Sequence, residues 1–344
     1  MTISGHSRTV DAVKGFAIVL VVYGHVAQGV HHRGWWNSPG YTFQERFIYS
    51  FHMAAFFFVS GLFVQPSLAR SGAREFVLRR LRTVLWPYIV CVATSFVQFF
   101  VGPTAAAARH DFVRSVLVPV ATGEASWFLP TLFLCLMLAL VTDRLPHWAT
   151  FASGLTLSLL WPATGIRIVD SAAHYFVVMT AGEWVNRRIE RVDAAPRWAA
   201  LAASVALFAA LAGGNLSMAW NMRIAVVALG LAGTMGLFLL ANAVRGSAID
   251  NAACWCGEAS LGIFVLHPFF QGAMRLVMAK ATASHATFPN VAFPALVALI
   301  GPALLWHYRE LLHIGFLFAF PVGAKRTAAP PADGTRPALA RNEG

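Results

Sequence analysis

Acidic residues are scarce in this chain. Only 15 Asp and Glu stand against 26 Lys and Arg, and charged residues together make up 12% of the sequence. So small a charged fraction excludes a solvated, disordered polymer as the body of the protein. Cysteine is scarce as well, at four residues. Cys91, Cys135, Cys254 and Cys256 have neither the number nor the spacing of a disulfide framework or a zinc site, so no metal is expected. No segment repeats at a fixed period, which counts against a solenoid or an inverted-repeat transporter.

Apolar surface is what the chain has in excess. Hydrophobic residues form 58% of the 344 positions and the mean hydropathy is +0.62, above the roughly 45–50% apolar content of soluble domains. Apolar runs at 12–30, 48–66, 83–102, 123–141, 148–165, 171–186, 198–214, 223–243, 259–279 and 291–308 approach the ~20 residues that cross a hydrocarbon core. The fold expected is all-α, a polytopic transmembrane bundle of about ten helices. Pro130 interrupts the fourth run, and Asp170, His174 and Glu183 dilute or flank the sixth. Residues 1–320 form the membrane domain in this reading. Residues 321–344, rich in Ala, Pro, Gly and Arg, read as a disordered tail.

The net charge of +11 is explained by topology, without nucleic acid. With a cytoplasmic N-terminus, most basic residues, among them Arg8, Lys14, Arg79, Arg80, Arg82, Arg187, Arg188, Arg245 and Arg309, fall on the cytoplasmic side. That asymmetry is positive-inside and puts both termini in the cytoplasm. The first run lacks a small-residue cleavage site and carries Lys14 and His25, so it reads as a retained span. Helical spans point to a bacterial inner membrane, because outer membranes host barrels.

Within the first run, Asp11, Lys14, Ile18, Val21, His25 and Gln28 follow steps of three and four. They share one helical stripe, which in a bilayer faces the protein interior. Lys14 and His25 are separated by about 16 Å of helix rise, so they line one path without touching. Asp11 is farther still, and its expected partner is Lys14 at i+3 or a nearby arginine. His52, in "SFHMAAFFFVSGLF", enters the second run from the external side at a depth matching His25. Two imidazoles at one depth beside a polar stripe make a candidate site. Helix-packing histidines satisfied by backbone groups are the alternative.

"REFVLRRLRTVLWPY" brings Arg79, Arg80 and Arg82 to the cytoplasmic entrance of the third run. A planar guanidinium there can grip phosphate oxygens in pairs, enforce topology or contact anionic lipid headgroups. Glu124 and Trp127, in "GEASWFLPTLF", lie at the external start of the fourth run. They read either as an acceptor-binding carboxylate and aromatic face or as members of the interfacial belt. His267, in "SLGIFVLHPFF", falls near the middle of the ninth run, where it either faces the same cavity or hydrogen-bonds a neighbouring helix.

The stretches "RTVDAVKGFAIVLVVYGHV", "SFHMAAFFFVSGLF", "RRLRTVLWPY", "SWFLPTLF" and "GEASLGIFVLHPF", in that order, resemble the successive signatures of acyltransferase family 3, bacterial membrane enzymes that O-acylate carbohydrates and other acceptors. The resemblance runs from about Arg8 to about Leu312. It implies that His25 is the catalytic histidine, that Asp11 and Lys14 are the Asp-x-x-Arg/Lys before it, and that Arg79, Arg80 and Arg82 are the basic cluster before the Pro-Tyr. Ala54 stands where the family often has proline, and Thr83 where a further basic residue is common. The implied reaction moves an acyl group, acetyl by family frequency, from acyl-CoA to a hydroxyl of a carbohydrate or glycolipid acceptor. Acyl-CoA is a co-substrate, and no permanently bound cofactor is expected. Its phosphates would dock on the three arginines, and the pantetheine arm would reach His25, which acts as general base or acyl carrier. His52 would polarise the thioester or position the acceptor. The rival reading is a transporter or flippase for a lipid-linked sugar or small anion, which needs similar intramembrane polar residues.

Overall fold

The computed structural model describes residues 8–101, 118, 120, 126–185, 194–217, 223–281 and 286–321. These residues hold no β-strand; they form α1 (Arg8–His31), α2 (Pro39–Tyr49), α3 (His52–Leu62), α4 (Val64–Arg80), a π-helical turn (Leu81–Leu85), α5 (Trp86–Val101), α6 (Phe128–Val141), α7 (His147–Leu160), α8 (Arg167–Val185), α9 (Arg197–Ser217), α10 (Arg223–Ala243), α11 (Ala248–Glu258), α12 (Ser260–Ala281) and α13 (Thr287–His307). Glu124 and the tail from residue 322 lie outside the described residues.

Nine of the ten apolar runs overlap mainly one helix among the described residues, whereas 48–66 is divided among α2, α3 and α4, and fewer than ten qualify as membrane spans. Among the described residues, four helices, α1, α9, α12 and α13, are long and apolar enough to cross a bilayer, and the bent pair Pro39–Leu62 with Val64–Thr94, angled at 62°, counts as a fifth if it is one span. The physical reasons are length and polarity. α6 and α7 have 14 residues each, a rise of about 21 Å against a ~30 Å core. α8 carries Arg167, Asp170 and Glu183. Pro130, expected to interrupt its run, falls in the first turn of α6, where its missing N–H costs nothing.

α1 is the hub of the bundle. Thr9 to Val30 contribute most of its buried residues, and it packs on α2, α3, α10, α11, α12 and α13. Glycine sets the closest of these contacts. A Cβ on Gly15 would overlap the carbonyl of Ala253, and one on Gly257 the carbonyl of Asp11. The same reciprocal arrangement joins α3 to α8, where Gly61 meets the carbonyl of Met179 and Gly182 that of Phe58. In lipid, apolar side chains gain little by leaving their surroundings, so such backbone approaches supply dispersion contact that Leu cannot.

The α1–α11 crossing is also tied electrostatically. Ser247 caps α11 by accepting from the amide of Asp250 at 3.2 Å. The Asp250 carboxylate in turn takes the amide of Gly246 and the guanidinium of Arg8, both at 2.7 Å. Gly246 has φ +80°, which only glycine adopts cheaply. Burial pushes the Asp250 carboxyl up, but the Gly246 amide and Arg8 outweigh it and hold it below the usual carboxylate range. A depressed carboxyl contributes stability above its unfolded pKa and loses it as pH falls through the folded value. Asp250→Asn is therefore expected to lower the melting temperature at pH 7. The deficit should shrink below about pH 4, near the ordinary Asp value, as thermal scans across pH would report.

Beyond α13 the chain returns to the π-helical turn. The amide of Phe320 donates to the Arg82 carbonyl at 3.1 Å, and Trp86 Nε1 donates to the Phe316 carbonyl at 2.6 Å. A π-turn leaves carbonyls off the regular ladder, and this strap satisfies one of them. The segment from Arg80 to Trp86 is thereby fixed by residues more than two hundred positions away.

Candidate active site

A cavity of about 420 Å³ lies among α1, α2, α3, α5, α6, α8 and α12, lined by His25, Tyr49, His52, Trp127, Arg167 and His267 among others. α1 brings His25 to its wall and α12 brings His267. The two imidazoles stack at 16°, with Nδ1 of His25 2.8 Å from Nε2 of His267.

Hydrogen-bond partners assign the tautomers of this pair. Nδ1 of His267 lies 3.0 Å from the Ile263 carbonyl and 2.9 Å from that of Phe264. Carbonyls only accept, so Nδ1 carries the hydrogen and Nε2 of the neutral ring holds a lone pair. That lone pair accepts from Nδ1 of His25. The remaining nitrogen of His25, Nε2, is then the basic one. His267 thus does for His25 what a buried acceptor does in a catalytic triad, fixing tautomer and ring orientation. Being neutral, it cannot stabilise an imidazolium as a carboxylate does. The α1 backbone is held at the same point, where Arg275 donates to the carbonyls of His25 and Val26 at 3.4 and 3.3 Å. Gly29 leaves the slot for that guanidinium, since a Cβ there would overlap it.

His52 is buried at the start of α3, and its Nδ1 donates to the Ile48 carbonyl at 2.7 Å. Its Nε2 is therefore also a lone-pair nitrogen. Across the cavity, Phe57, Tyr175 and Trp127 stack in series, with centroids 4.5 and 5.5 Å apart, and Arg167 lies 5.3 Å from the Trp127 ring. Trp127 is already engaged by an aromatic face and a cation. Asp170 does not neutralise Arg167, because its oxygens accept from Trp161 Nε1, the amides of Thr164 and Gly165 and the Thr164 hydroxyl.

Of the candidate residues, the cavity gathers His25, His52 and Trp127. Asp11 and Lys14 pair with each other at 2.6 Å near the α1–α11 crossing, away from the imidazoles. The arginines do not line the cavity. Arg79 is exposed, whereas Arg80 turns inward, 3.3 Å from Ser67 Oγ and over the Phe76 ring at 4.9 Å. α5 connects the two places, since Cys91 lines the cavity nine residues, or about 14 Å, beyond Arg82. Tyr49, Arg167 and Arg275 were not singled out by the sequence, whereas His267 was, with its role open between facing the cavity and bonding a neighbouring helix. For His267 the signal was present, as a third histidine inside an apolar helix.

A family model described as an acyltransferase domain, that of acyltransferase family 3, matches residues 8–307. The nodulation protein NolL of Sinorhizobium fredii (strain NBRC 101917 / NGR234) is 30% identical over 159 residues, covering 44% of this chain and 42% of NolL. The match therefore spans less than half of that relative. No solved structure matches significantly. The family match counts against the transport reading. Matched over most of its length, with several helices long and apolar enough to cross a membrane, the chain belongs to acyltransferase family 3.

Proposed function

We propose that the protein transfers an acyl group, acetyl by default, from acyl-CoA to a hydroxyl of a carbohydrate-type acceptor, with Nε2 of His25 as general base. The observation that carries this reading is the His25–His267 hydrogen bond on a cavity wall, with both tautomers set by the Ile263 and Phe264 carbonyls. The acceptor hydroxyl gives its proton to Nε2 as its oxygen bonds to the thioester carbon. The carbon–sulfur bond then breaks, and the departing CoA thiolate takes the same proton back from Nε2. His25 ends neutral and ready for the next turn. His267 is a positioning residue in this scheme. His52 accepts from a second hydroxyl of the acceptor, leaving the attacking one to His25, and Trp127 borders the acceptor ring.

The membrane setting follows the charge pattern. Both termini lie in the cytoplasm of a bacterial cell, the chain crosses the inner membrane through about ten helices, and membrane lipids surround it. CoA phosphates dock on Arg79, Arg80 and Arg82 at the cytoplasmic face, and the pantetheine arm follows α5 toward Cys91. Arg167, exposed at the start of α8 and on the cavity rim, marks the side from which the acceptor enters. Asp11 and Lys14 support the mouth as an ion pair within the first turns of α1, and Glu124 precedes Trp127 on the acceptor side.

Binding of labelled acetyl-CoA to detergent-solubilised protein tests the donor assignment. A variant with Arg79→Ala, Arg80→Ala and Arg82→Ala is expected to bind at least about tenfold more weakly, since one charge-assisted hydrogen bond contributes about 1.5–3 kcal/mol. Equal binding by the triple variant contradicts the phosphate site. Absence of saturable binding to folded wild type contradicts the donor class.

A further inference from the structure

The phenol of Tyr49 is unusual among the polar groups around the cavity. Its hydroxyl oxygen is buried and has no hydrogen-bond partner, although nearly all buried hydroxyls in folded proteins find one. The ring is held firmly. It packs edge-on against His52, with centroids 4.8 Å apart at 78°, and it lies over Gly24, where a Cβ would come within 3.2 Å of Cε2 and 3.6 Å of the hydroxyl. Gly24 immediately precedes His25, so the hydroxyl is fixed beside the α1 wall that carries the base. Tyr49, His25, His52 and His267 all line the one cavity.

A hydroxyl is a donor, and the two lone-pair nitrogens assigned above are acceptors. The cavity therefore holds bases able to take a proton and, in Tyr49, a buried neutral donor with nothing to donate to. Acyl transfer requires such a donor, because negative charge builds on the thioester carbonyl oxygen as the tetrahedral intermediate forms. We infer that Tyr49 is a catalytic residue whose hydroxyl donates a hydrogen bond to that oxygen. This inference rests on the acyl-transfer reading of the cavity. The proton stays on Tyr49 throughout, and the hydrogen bond shortens as charge develops and relaxes as CoA leaves.

Tyr49→Phe removes one oxygen and preserves the ring packing on His52 and Gly24. Free CoA release from acetyl-CoA, measured in vesicles holding the full-length protein and envelope glycans, should show kcat lowered by about 10²-fold or more, the usual effect of deleting one oxyanion donor. KM for acetyl-CoA should stay within about twofold, because the bond is made mainly in the transition state. The melting temperature should not fall, since the lost hydroxyl had no partner to lose. Unchanged kcat overturns the assignment. So does a raised KM with unchanged kcat, which marks ground-state binding, or a lowered melting temperature with unchanged turnover, which marks a structural hydroxyl. His25→Gln in the same vesicles separates the two levels of the account. If that variant keeps wild-type turnover, His25 as base fails and with it this cavity as the site of transfer; if it is inactive while Tyr49→Phe is fully active, only this inference fails.

Discussion

His25→Gln is expected to lower acyl transfer by about 10²–10⁴-fold, the range that a positioned general base contributes. Glutamine occupies a similar volume and still forms hydrogen bonds, so packing around α1 survives. It cannot accept and return a proton at neutral pH. Acetyl-CoA binding should be retained within about twofold, because the arginines proposed to hold the phosphates lie outside the cavity. His267→Phe should follow in the same direction with a smaller loss, about 10–10²-fold in kcat at unchanged KM. That substitution leaves Nδ1 of His25 without its acceptor at 2.8 Å, so the imidazole samples the wrong tautomer. The graded order, His25 before His267, is the signature of a base and the group that aims it. Equal and complete losses at both positions, with lost melting transitions, would indicate a packing pair instead.

Gly15→Ala and Gly257→Ala form the second large-effect test, this time of folding. Alanine in place of a helical glycine normally stabilises a helix by about 1 kcal/mol. Here the added Cβ would overlap the carbonyl of Ala253 or of Asp11, which is backbone and cannot rotate away. Overpacking of this kind costs about 1–3 kcal/mol or more, so the clash wins and the sign reverses. α1 and α11 must separate, and α1 carries His25. The expected result is a lower melting temperature together with lower turnover, measured on solubilised protein. Gly272→Ala is the control, because nothing lies within 4 Å of a Cβ at that position of α12. That variant should match the wild type or exceed its stability slightly. A stabilised Gly15→Ala would contradict the close crossing.

Much of the architecture was legible because hydrophobicity in lipid is a local property. A run such as 198–214 or 291–308 announces α9 or α13 without reference to any neighbour. What was not read was where the chain breaks: the 62° bend between Leu62 and Val64 is flanked by Gly61 and Pro66, but the apolar run continues through them and masks the signal. For the same reason, and because α6 and α7 are short, four to five of the ten expected spans qualify by length and composition among the described residues. In the candidate site, periodicity placed His25 on a buried stripe and matched its depth to His52. Pairing across sequence was harder. His25 and His267 are 242 positions apart, and only the packing of α12 along α1 decides that their rings meet. Tyr49 gave no signal at all, because an aromatic at a membrane interface is expected and an unpartnered hydroxyl can be recognised only in three dimensions. The arginine cluster shows the opposite case, conspicuous in sequence yet divided in space, with Arg79 exposed and Arg80 turned toward Ser67.

The most direct measurement is transfer of radiolabel from acetyl-CoA, carried on the acetyl group, in vesicles containing either the wild type or His25→Gln. The account predicts that both bind acetyl-CoA, that the wild type deposits label on glycan as an alkali-labile ester, and that His25→Gln deposits none above background. Wild-type labelling by His25→Gln, or binding without any transfer by the wild type, would contradict it.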